Sequence, residues 1–307
     1  INQHMNEKHI QTFKAYGGCY PVRGNGASEG AKKGAIAVII RSLGLAIDDH
    51  PHTGSMSYED GVKQIPAAAI STSDAERIEN LILNNPEVKY EFILEMDCKK
   101  LEDKVSYNVI GEIPGNSKQD EIITIGGHLD SWDTGEGAHD DGAGIIHCLE
   151  AFRILRSMNY IPRHTLRVVF FMNEENGNMG GKTYAQWVKE KKEKHIAALE
   201  SDRGGFAPRG FTCDGSEANL EWLKSQAQLF EDYDLHVFDK GYGGVDIGPL
   251  KKEYPEIALF GFVPDSQRYF DMHHSPNDVF ENVNKRELEL GAAAVASFLY
   301  LIDQQFK

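Results

Sequence analysis

After residue 88, short apolar runs alternate with longer amphipathic segments. This alternation constrains the fold more than any other feature of the sequence. Four of the runs are rich in β-branched or aromatic residues and are typical of strands covered on both faces; they are residues 122–125, 166–172, 196–199 and 257–263. Segments with helical spacing of apolar residues separate them, and a last such segment covers residues 287–304. Strand and helix in alternation predict an α/β domain, with a mostly parallel central sheet flanked by helices.

The first part of the chain follows a different pattern. Two short apolar runs there predict strands, an amphipathic segment after them predicts a helix, and the aperiodic stretch between the runs predicts an exposed loop. That loop carries His50 and His52, which we expect at the surface or at an interface. Because Pro86 follows the helix and ends it, we place a domain boundary there. The expected organisation is a small domain of residues 1–85 and a larger domain of residues 86–307.

The charge balance narrows the range of partners. The chain has 32 Lys and Arg against 47 Asp and Glu, which gives a formal charge of −15 at pH 7. Nucleic acids and anionic membrane surfaces are bound by clustered basic side chains, so we expect neither as a partner. The longest nearly apolar stretch, residues 292–302, is shorter than the roughly 20 residues that span a bilayer. We therefore expect no membrane span.

Acidic and histidine side chains are concentrated directly after the four predicted strands, where ligands gather in open α/β sheets. So many carboxylates in one place would repel each other unless a cation neutralises them. Imidazole together with carboxylate is a ligand mixture that suits zinc, so the sequence predicts a metal site at this edge of the sheet. In chain order the clusters are His128, Asp130, Asp140 and Asp141; Glu174 and Glu175; Glu200 and Asp202; and Asp271, His273 and His274.

Five short motifs carry these clusters: GGHLD at 126–130, GAHDDGAG at 137–144, NEENG at 173–177, ESD at 200–202 and MHHSPND at 272–278. In order and approximate spacing they resemble the co-catalytic zinc exopeptidases of metallopeptidase family 28, and within that family its carboxypeptidase members. Segments before residue 116 resemble the protease-associated domain of these enzymes and the strand that follows it. The resemblance implies a zinc exopeptidase fold with a smaller protease-associated domain, of which residues 1–85 would be an N-terminally incomplete copy.

The resemblance also implies two bound zinc ions. The implied ligands are Asp140 as the bridge between the ions, His128 and Asp202 in one site, and Glu175 and His274 in the other. His273 is an alternative to His274, but the His-x-x-x-Asp spacing that ends at Asp278 matches the family and favours His274. Three protein contacts for each ion leave room for water, as expected of catalytic zinc.

Further roles follow for the residues that neighbour these ligands. Asp130 would hold the imidazole of His128 in one tautomer. Glu174, beside a ligand, would be the general base that takes a proton from water and returns it to the leaving amine. We expect His139 to be a loop residue, and Asp141 to form hydrogen bonds at the entry of the next helix.

Three residues are candidates for contact with the substrate. Tyr242 and Tyr269 follow predicted strands, and either phenol could donate a hydrogen bond to an oxyanion. Arg203 directly follows the implied ligand Asp202, and its guanidinium is suited to a terminal carboxylate or an acidic side chain of the substrate.

The set of motifs and implied ligands favours hydrolysis of dipeptides or short peptides, the activity of the carboxypeptidases of the family. An aminopeptidase of the same family is the nearest alternative. A glutaminyl cyclase-like transferase would work with one zinc ion, and a non-catalytic binding module would lack ligands or the base, whereas this sequence has the full set. The resemblance further implies a homodimer and a secreted or periplasmic location.

Overall fold

A computed structural model describes residues 1–306 and divides them by their internal contacts into two compact units. The first unit comprises Ile1–Val105, Trp132–Gly135 and Phe270–Asn277. The second comprises Ser106–Ser131, Glu136–Tyr269 and the chain from Asp278 onward. The domain boundary at residue 86 stays a prediction. A division of the chain by internal contacts does not test where one sequence domain ends and the next begins.

The first unit contains the elements predicted for the start of the chain and one further helix. Its elements before residue 85 are α1 (Thr12–Lys32), β1 (Val38–Arg41), β2 (Ala67–Ile70) and α2 (Thr72–Asn84). Strands β1 and β2 pair in parallel and lie at the predicted apolar runs. Helix α2 begins where the hydroxyl of Ser71 accepts a hydrogen bond from the backbone N–H of Asp74, at 3.1 Å.

Helix α1 is not predicted by the sequence pattern. It contains Pro21 and several glycines, which are unfavourable inside helices. One face of the helix is nevertheless buried, and Ala27 packs there with Val38 and Ile40 of β1. A Cβ at Gly30 would clash with the side chain of Val38, so the glycine allows helix and strand to approach closely. This tertiary packing outweighs the low helix propensity of the segment.

The loop between β1 and β2 has no helix or strand at residues 48–58, as predicted, but one of its histidines is buried. His52 is 3% exposed, so the expectation that it lies at the surface was wrong; His50 is partly buried. The backbone N–H of His52 donates to the hydroxyl of Ser42 at 2.8 Å, and its ring hydrogen-bonds the backbone of His273. Burial lowers the pKa of His52 to about 4, so the ring is neutral at pH 7.

A mixed sheet, seven-stranded within the described residues, forms the centre of the second unit. Its strands are β3 (Val109–Ile113), β4 (Lys118–His128), β5 (His164–Phe171), β6 (Lys194–Glu200), β7 (Pro208–Asp214), β8 (Val237–Lys240) and β9 (Ala258–Pro264). They are arranged in the order β3-β5-β4-β6-β9-β7-β8. The four strands predicted from apolar runs are β4, β5, β6 and β9, and they form the parallel centre. Strands β3 and β7 run antiparallel to their neighbours β5 and β9.

Helices cover both faces of this sheet, which confirms the predicted α/β architecture. Ile123 and Ile125 of β4 pack in one cluster with Phe298, whereas Thr124 between them approaches the hydroxyl of Tyr184 on the opposite face, at 3.2 Å. Because both faces are buried, the strands read as continuous apolar runs. The helices after β4 are α3 (Ala143–Ser157), α4 (Met179–Lys191), α5 (Glu217–Gln226), α6 (Leu250–Glu253), α7 (Tyr269–Met272) and α8 (Lys285–Gln305). No helix within residues 1–306 is both long and apolar enough to cross a membrane.

Candidate metal centre

Three adjacent parallel strands of the second unit end at the same edge of the sheet. Strand β4 ends at His128, β5 ends at Phe171 shortly before Glu174, and β6 ends at Glu200 two residues before Asp202. Because β5, β4 and β6 are neighbours, their carboxyl ends bring these side chains together. The predicted concentration of acidic groups after these strands is therefore present in the structure.

The imidazole of His128 lies at the centre of the cluster and is buried. Its Nδ1 is 2.8 Å from the backbone carbonyl of Asp130, and because a carbonyl only accepts hydrogen bonds, Nδ1 carries the proton. Its Nε2 lies 3.2 Å from Oδ1 of Asp140 and 3.6 Å from Oδ1 of Asp202. The tautomer therefore presents Nε2 as the ligand atom, toward two of the predicted carboxylate ligands.

Asp130 contributes through two different groups. Its backbone carbonyl accepts the proton of His128, whereas its carboxylate was the group that the sequence suggested for this task. The carboxylate instead accepts hydrogen bonds from the backbone N–H groups of Glu174 and Glu175, at 3.0 and 3.3 Å. Asp130 thus fixes the backbone of the loop after β5 relative to His128.

A tight turn at residues 138–142 holds Asp140 and Asp141, which a cis peptide bond joins. The carboxylate of Asp278 accepts hydrogen bonds from the backbone N–H groups of His139 and Asp140, at 2.6 and 3.1 Å. His139 stacks on the ring of Phe206, and its two ring nitrogens face the backbone carbonyl of Asn282 and the backbone N–H of Gly205; its place outside the ligand set stays a prediction. The turn therefore has a defined geometry imposed by groups distant in sequence.

Asp141 forms the hydrogen bonds expected at the entry of α3. Its two oxygens accept from the backbone N–H groups of His128 and Gly144, each at 3.0 Å. A Cβ at Gly144 would clash with the backbone oxygen of Ser201, so only glycine allows the helix to begin this close to the end of β6. Asp141 consequently ties the ends of β4 and α3 together.

Two groups of side chains in the second unit have the geometry to hold a metal ion. In each, one ligand atom per residue lies within 4.8 Å of the others; the groups are His128, Asp140 and Glu175, and His128, Asp141 and Asp202. Oδ1 of Asp202 is buried and has no hydrogen-bond partner in the part of the chain that the structure describes. A buried carboxylate oxygen without a partner is unfavourable, and a cation would satisfy it.

Electrostatics also favour a cation here. Burial, followed by repulsion between the carboxylates, raises the pKa of Asp202 to about 6 and the pKa of Glu174 to about 9. Burial opposes protonation of His128, yet the neighbouring carboxylates of Asp140 and Asp202, 3.2 and 3.6 Å from Nε2, raise the pKa of this imidazole well above its ordinary value. The donor set of one imidazole and several carboxylates therefore fits zinc.

His274, the remaining predicted ligand, belongs to the first unit. Its ring stacks on His273 with centroids 3.5 Å apart, and its Nδ1 lies 3.2 Å from the backbone carbonyl of Thr53. By the same argument as for His128, Nδ1 carries the proton and Nε2 is the ligand atom. The role of His274 stays a prediction.

The family model described as Peptidase family M28 matches residues 108–299. The chain belongs to peptidase family M28. This confirms the resemblance noted from the five sequence motifs, and the matched residues include every element of the cluster in the second unit.

Individual relatives of this M28 chain are consistent with the assignment. Carboxypeptidase Q of Bos taurus is 31% identical over 95% of this chain, and the chain spans 61% of the length of that relative. The crystal structure of a peptidase M28 precursor from Shewanella amazonensis SB2B is 36% identical, with a TM-score of 0.89 over 99% of this chain and 67% of that one. The zinc aminopeptidase BSAP from Bacillus subtilis shares the fold, with a TM-score of 0.59 and 20% identity over 89% of this chain and 65% of that one.

The candidate substrate residues of this M28 chain lie in different environments. Nη2 of Arg203 donates a hydrogen bond to the backbone carbonyl of Tyr242 at 3.0 Å, and the hydroxyl of Thr212 donates to the same carbonyl at 2.8 Å. The side chain of Tyr242 is 56% exposed, whereas Tyr269 is buried. Burial, and then the nearby carboxylates of the cluster, raise the pKa of Tyr269, so this phenol keeps its proton and can donate it in a hydrogen bond.

Two further acidic residues shape the centre. The carboxylate of Glu200 accepts hydrogen bonds from the backbone N–H groups of Val245, Asp246 and Ile247, at 2.7, 2.9 and 2.9 Å. A Cβ at Gly244 would clash with that carboxylate, so the glycine permits the loop to wrap around it. Asp246 was missed by sequence reasoning, and its signal was its position two residues after the paired glycines Gly243 and Gly244 that follow β8. Its carboxylate is buried, which raises its pKa to about 10.

Proposed function

We propose that this chain is a zinc-dependent peptidase that hydrolyses dipeptides or short peptides in the manner of a carboxypeptidase. The observation that carries the proposal is the cluster of His128, Asp140, Glu175 and Asp202 at the ends of three neighbouring strands, in a member of peptidase family M28; His128 and Asp140 are buried and the other two are partly buried. The proposed cofactor is a pair of zinc ions. The proposed ligands are Asp140 as the bridge, with His128 and Asp202 for one ion and Glu175 and His274 for the other.

Bound zinc supplies Lewis acidity at the peptide carbonyl and at the attacking water. The protein supplies the proton transfers, and we assign them to Glu174. This residue is next to a ligand but is absent from both groups that can hold a metal. Its backbone N–H is fixed by Asp130, which orients the carboxylate. Burial, and then repulsion from Asp202, raises the pKa of Glu174; a cation held by the cluster would offset the repulsion, so that the carboxylate can accept a proton from water and return it to the leaving amine.

Substrate specificity is assigned to the loops beside the cluster. Arg203 is the proposed partner of the substrate carboxylate, which is the group that distinguishes a carboxypeptidase or dipeptidase from an aminopeptidase. Tyr242 and Tyr269 are the proposed oxyanion donors; Tyr269 is supported by its burial near the carboxylates, and Tyr242 by its exposure at the end of β8. Zinc aminopeptidase action is the second candidate, because a chain of the same fold carries that name.

Other parts of the proposal rest on the family resemblance. Residues 1–85 are proposed to be a protease-associated domain and residues 86–307 the catalytic domain. Homodimer formation and a secreted or periplasmic location are proposed on the same ground.

Metal analysis combined with a terminal-residue release assay tests this function. We expect about two zinc ions per chain and release of the C-terminal residue from an unblocked dipeptide. A C-terminal amide of the same dipeptide is expected to react slowly, because Arg203 then lacks its carboxylate partner. If the amide is cleaved as well as the free acid while an N-acetylated dipeptide is not cleaved, the enzyme is an aminopeptidase. A chain that binds no zinc and cleaves none of the three substrates would contradict the proposal.

The contribution of Asp202 and Glu200 to the stability of the metal-free chain is expected to fall as pH rises from about 4 to about 7. Burial and repulsion raise the pKa of Asp202 to about 6 and the pKa of Glu200 to about 7. The folded chain therefore binds these protons more tightly than the unfolded chain, and their stabilising contribution is complete below the unfolded pKa and is lost as pH rises through the folded one. Bound zinc should neutralise the carboxylates of the cluster in place of these protons, and so restore the lost stability at higher pH. Thermal unfolding with chelator and with zinc, at pH 5 and pH 8, checks this: the gain in Tm from zinc should be larger at pH 8, and equal gains would contradict it.

A further inference from the structure

A buried arginine of the first unit has no acidic partner. Arg23, in the middle of α1, is 7% exposed, and within residues 1–306 it pairs with no carboxylate. Its guanidinium instead lies against the rings of Tyr16 and Tyr20, whose centroids are 5.5 and 5.4 Å from Cζ. Nη2 donates to the hydroxyl of Tyr16, and Nη1 donates to the backbone carbonyl of Thr53 at 3.1 Å. Nε of Arg23 has no hydrogen-bond partner among the described residues, so this buried charge has only neutral partners. Such an arrangement is unusual and indicates a specific task for the contact with Thr53.

The residue after Thr53 is adapted to the guanidinium. Gly54 has a φ of +149°, a conformation that side chains rarely adopt, and a Cβ at this position would clash with Cζ of Arg23. Glycine therefore lets the guanidinium lie directly against the peptide that joins Thr53 to Gly54. The loop and α1 are fitted to each other at this point.

The backbone of Thr53 in turn holds His274, which lies in the same unit. The N–H of Thr53 donates to the carbonyl of His274 at 2.9 Å, and Nδ1 of His274 donates to the carbonyl of Thr53 at 3.2 Å. One carbonyl oxygen thus accepts hydrogen bonds from both Arg23 and His274. That bond keeps the proton of His274 on Nδ1 and leaves the lone pair on Nε2.

We propose that Arg23 is a positioning residue for His274: by fixing the carbonyl of Thr53, it holds the imidazole in the tautomer and orientation that present Nε2 to a metal ion. This inference rests on the proposed function, in which His274 binds zinc. It gives α1 and the Thr53–Gly54 loop a role in metal binding, although neither carries a metal ligand. Partners that orient a metal-binding imidazole typically change metal affinity by about 10- to 100-fold when they are removed.

The test compares three variants of the full chain. Arg23→Met keeps the aliphatic stem and removes every donor, Arg23→Lys restores one donor, and Tyr16→Phe is the matched control, because it removes the acceptor of Nη2 and leaves the bond to Thr53. Zinc titration of each chain is expected to show affinity for the second ion about 10-fold weaker in Arg23→Met, about 3-fold weaker in Arg23→Lys and unchanged in Tyr16→Phe, with affinity for the first ion unchanged throughout.

A second measurement on metal-free protein reports the tautomer directly. Long-range ¹H–¹⁵N correlation spectra distinguish imidazoles protonated on Nδ1 from those protonated on Nε2, and a His274→Gln variant assigns the signal. We expect the Nδ1–H form in the wild-type chain and in Tyr16→Phe, and a mixture of the two forms in Arg23→Met.

Wild-type affinity for the second ion and an unchanged tautomer in Arg23→Met would overturn the inference. Equal losses at both zinc sites, together with a lower Tm, would show a purely structural role and would also overturn it. If Arg23→Met does not fold, Arg23→Lys decides the matter by the same two measurements, and wild-type values for both would count against the inference. If the wild-type chain binds no second zinc ion, the proposed function fails, whereas the spectra of metal-free protein still test the effect of Arg23 on His274.

Discussion

Replacing Glu174 with glutamine is expected to lower kcat for dipeptide hydrolysis by about 10³-fold. The amide keeps the size and shape of the side chain but cannot accept the proton of the attacking water at neutral pH. The backbone N–H that Asp130 fixes is unaffected by the change, so the loop after β5 should keep its conformation. Because Glu174 belongs to neither group that can hold a metal, the zinc content and KM should stay close to those of the wild-type chain. Steady-state kinetics together with metal analysis measures both expectations.

Glu175→Gln is the matched control for this variant. It changes the adjacent carboxylate, which does lie in a group that can hold a metal, so it is expected to lose zinc as well as activity. The two neighbouring glutamates would then separate into a base and a ligand. Full activity in Glu174→Gln with zinc bound would show that another group takes the proton. Loss of zinc in Glu174→Gln would show that the base and the ligand have been exchanged.

The central sheet was predictable because continuous apolar runs in the sequence of the second unit mark its strands. Strands covered on both faces must be apolar on both, and this gives the continuous runs of β4, β5, β6 and β9. The site followed from the fold, since polar residues directly after such runs have to lie at one edge of a parallel sheet. The sequence therefore identified His128 and Asp202 as neighbours, although 73 residues lie between them in the chain.

Features that depend on distant packing were not predictable. Helix α1 has low intrinsic propensity and exists because its buried face meets β1. His52 lies in an aperiodic loop, and nothing in its neighbourhood along the sequence indicates that it contacts the backbone of His273. The carboxylate of Asp278 fixes the turn at Asp140 from the far end of the chain. Each of these contacts is set by the tertiary fold rather than by local periodicity.

The roles of neighbouring carboxylates are the hardest to assign from sequence, and the pair at 140 and 141 provides the sharpest test. Asp140→Asn is expected to weaken zinc binding by at least about 10²-fold and to lower activity by about 10³-fold or more, because a buried anionic ligand is replaced by a neutral amide. The stabilisation that zinc confers on unfolding should largely disappear with the affinity, since a ligand stabilises the folded state only in proportion to its binding. Zinc titration and thermal unfolding with and without zinc measure the two effects.

Asp141→Asn is the matched control, one residue along the chain. Both oxygens of Asp141 already accept hydrogen bonds from the backbone N–H groups of His128 and Gly144, so its main task is to join β4 to α3. An amide can serve only one of these donors, and we expect a lower Tm with the zinc stoichiometry retained. The opposite result, in which Asp141→Asn loses zinc and Asp140→Asn retains it, would assign the ligand role to Asp141, which also lies within reach of His128 and Asp202. The two variants therefore distinguish a carboxylate that binds the metal from one that holds the fold around it.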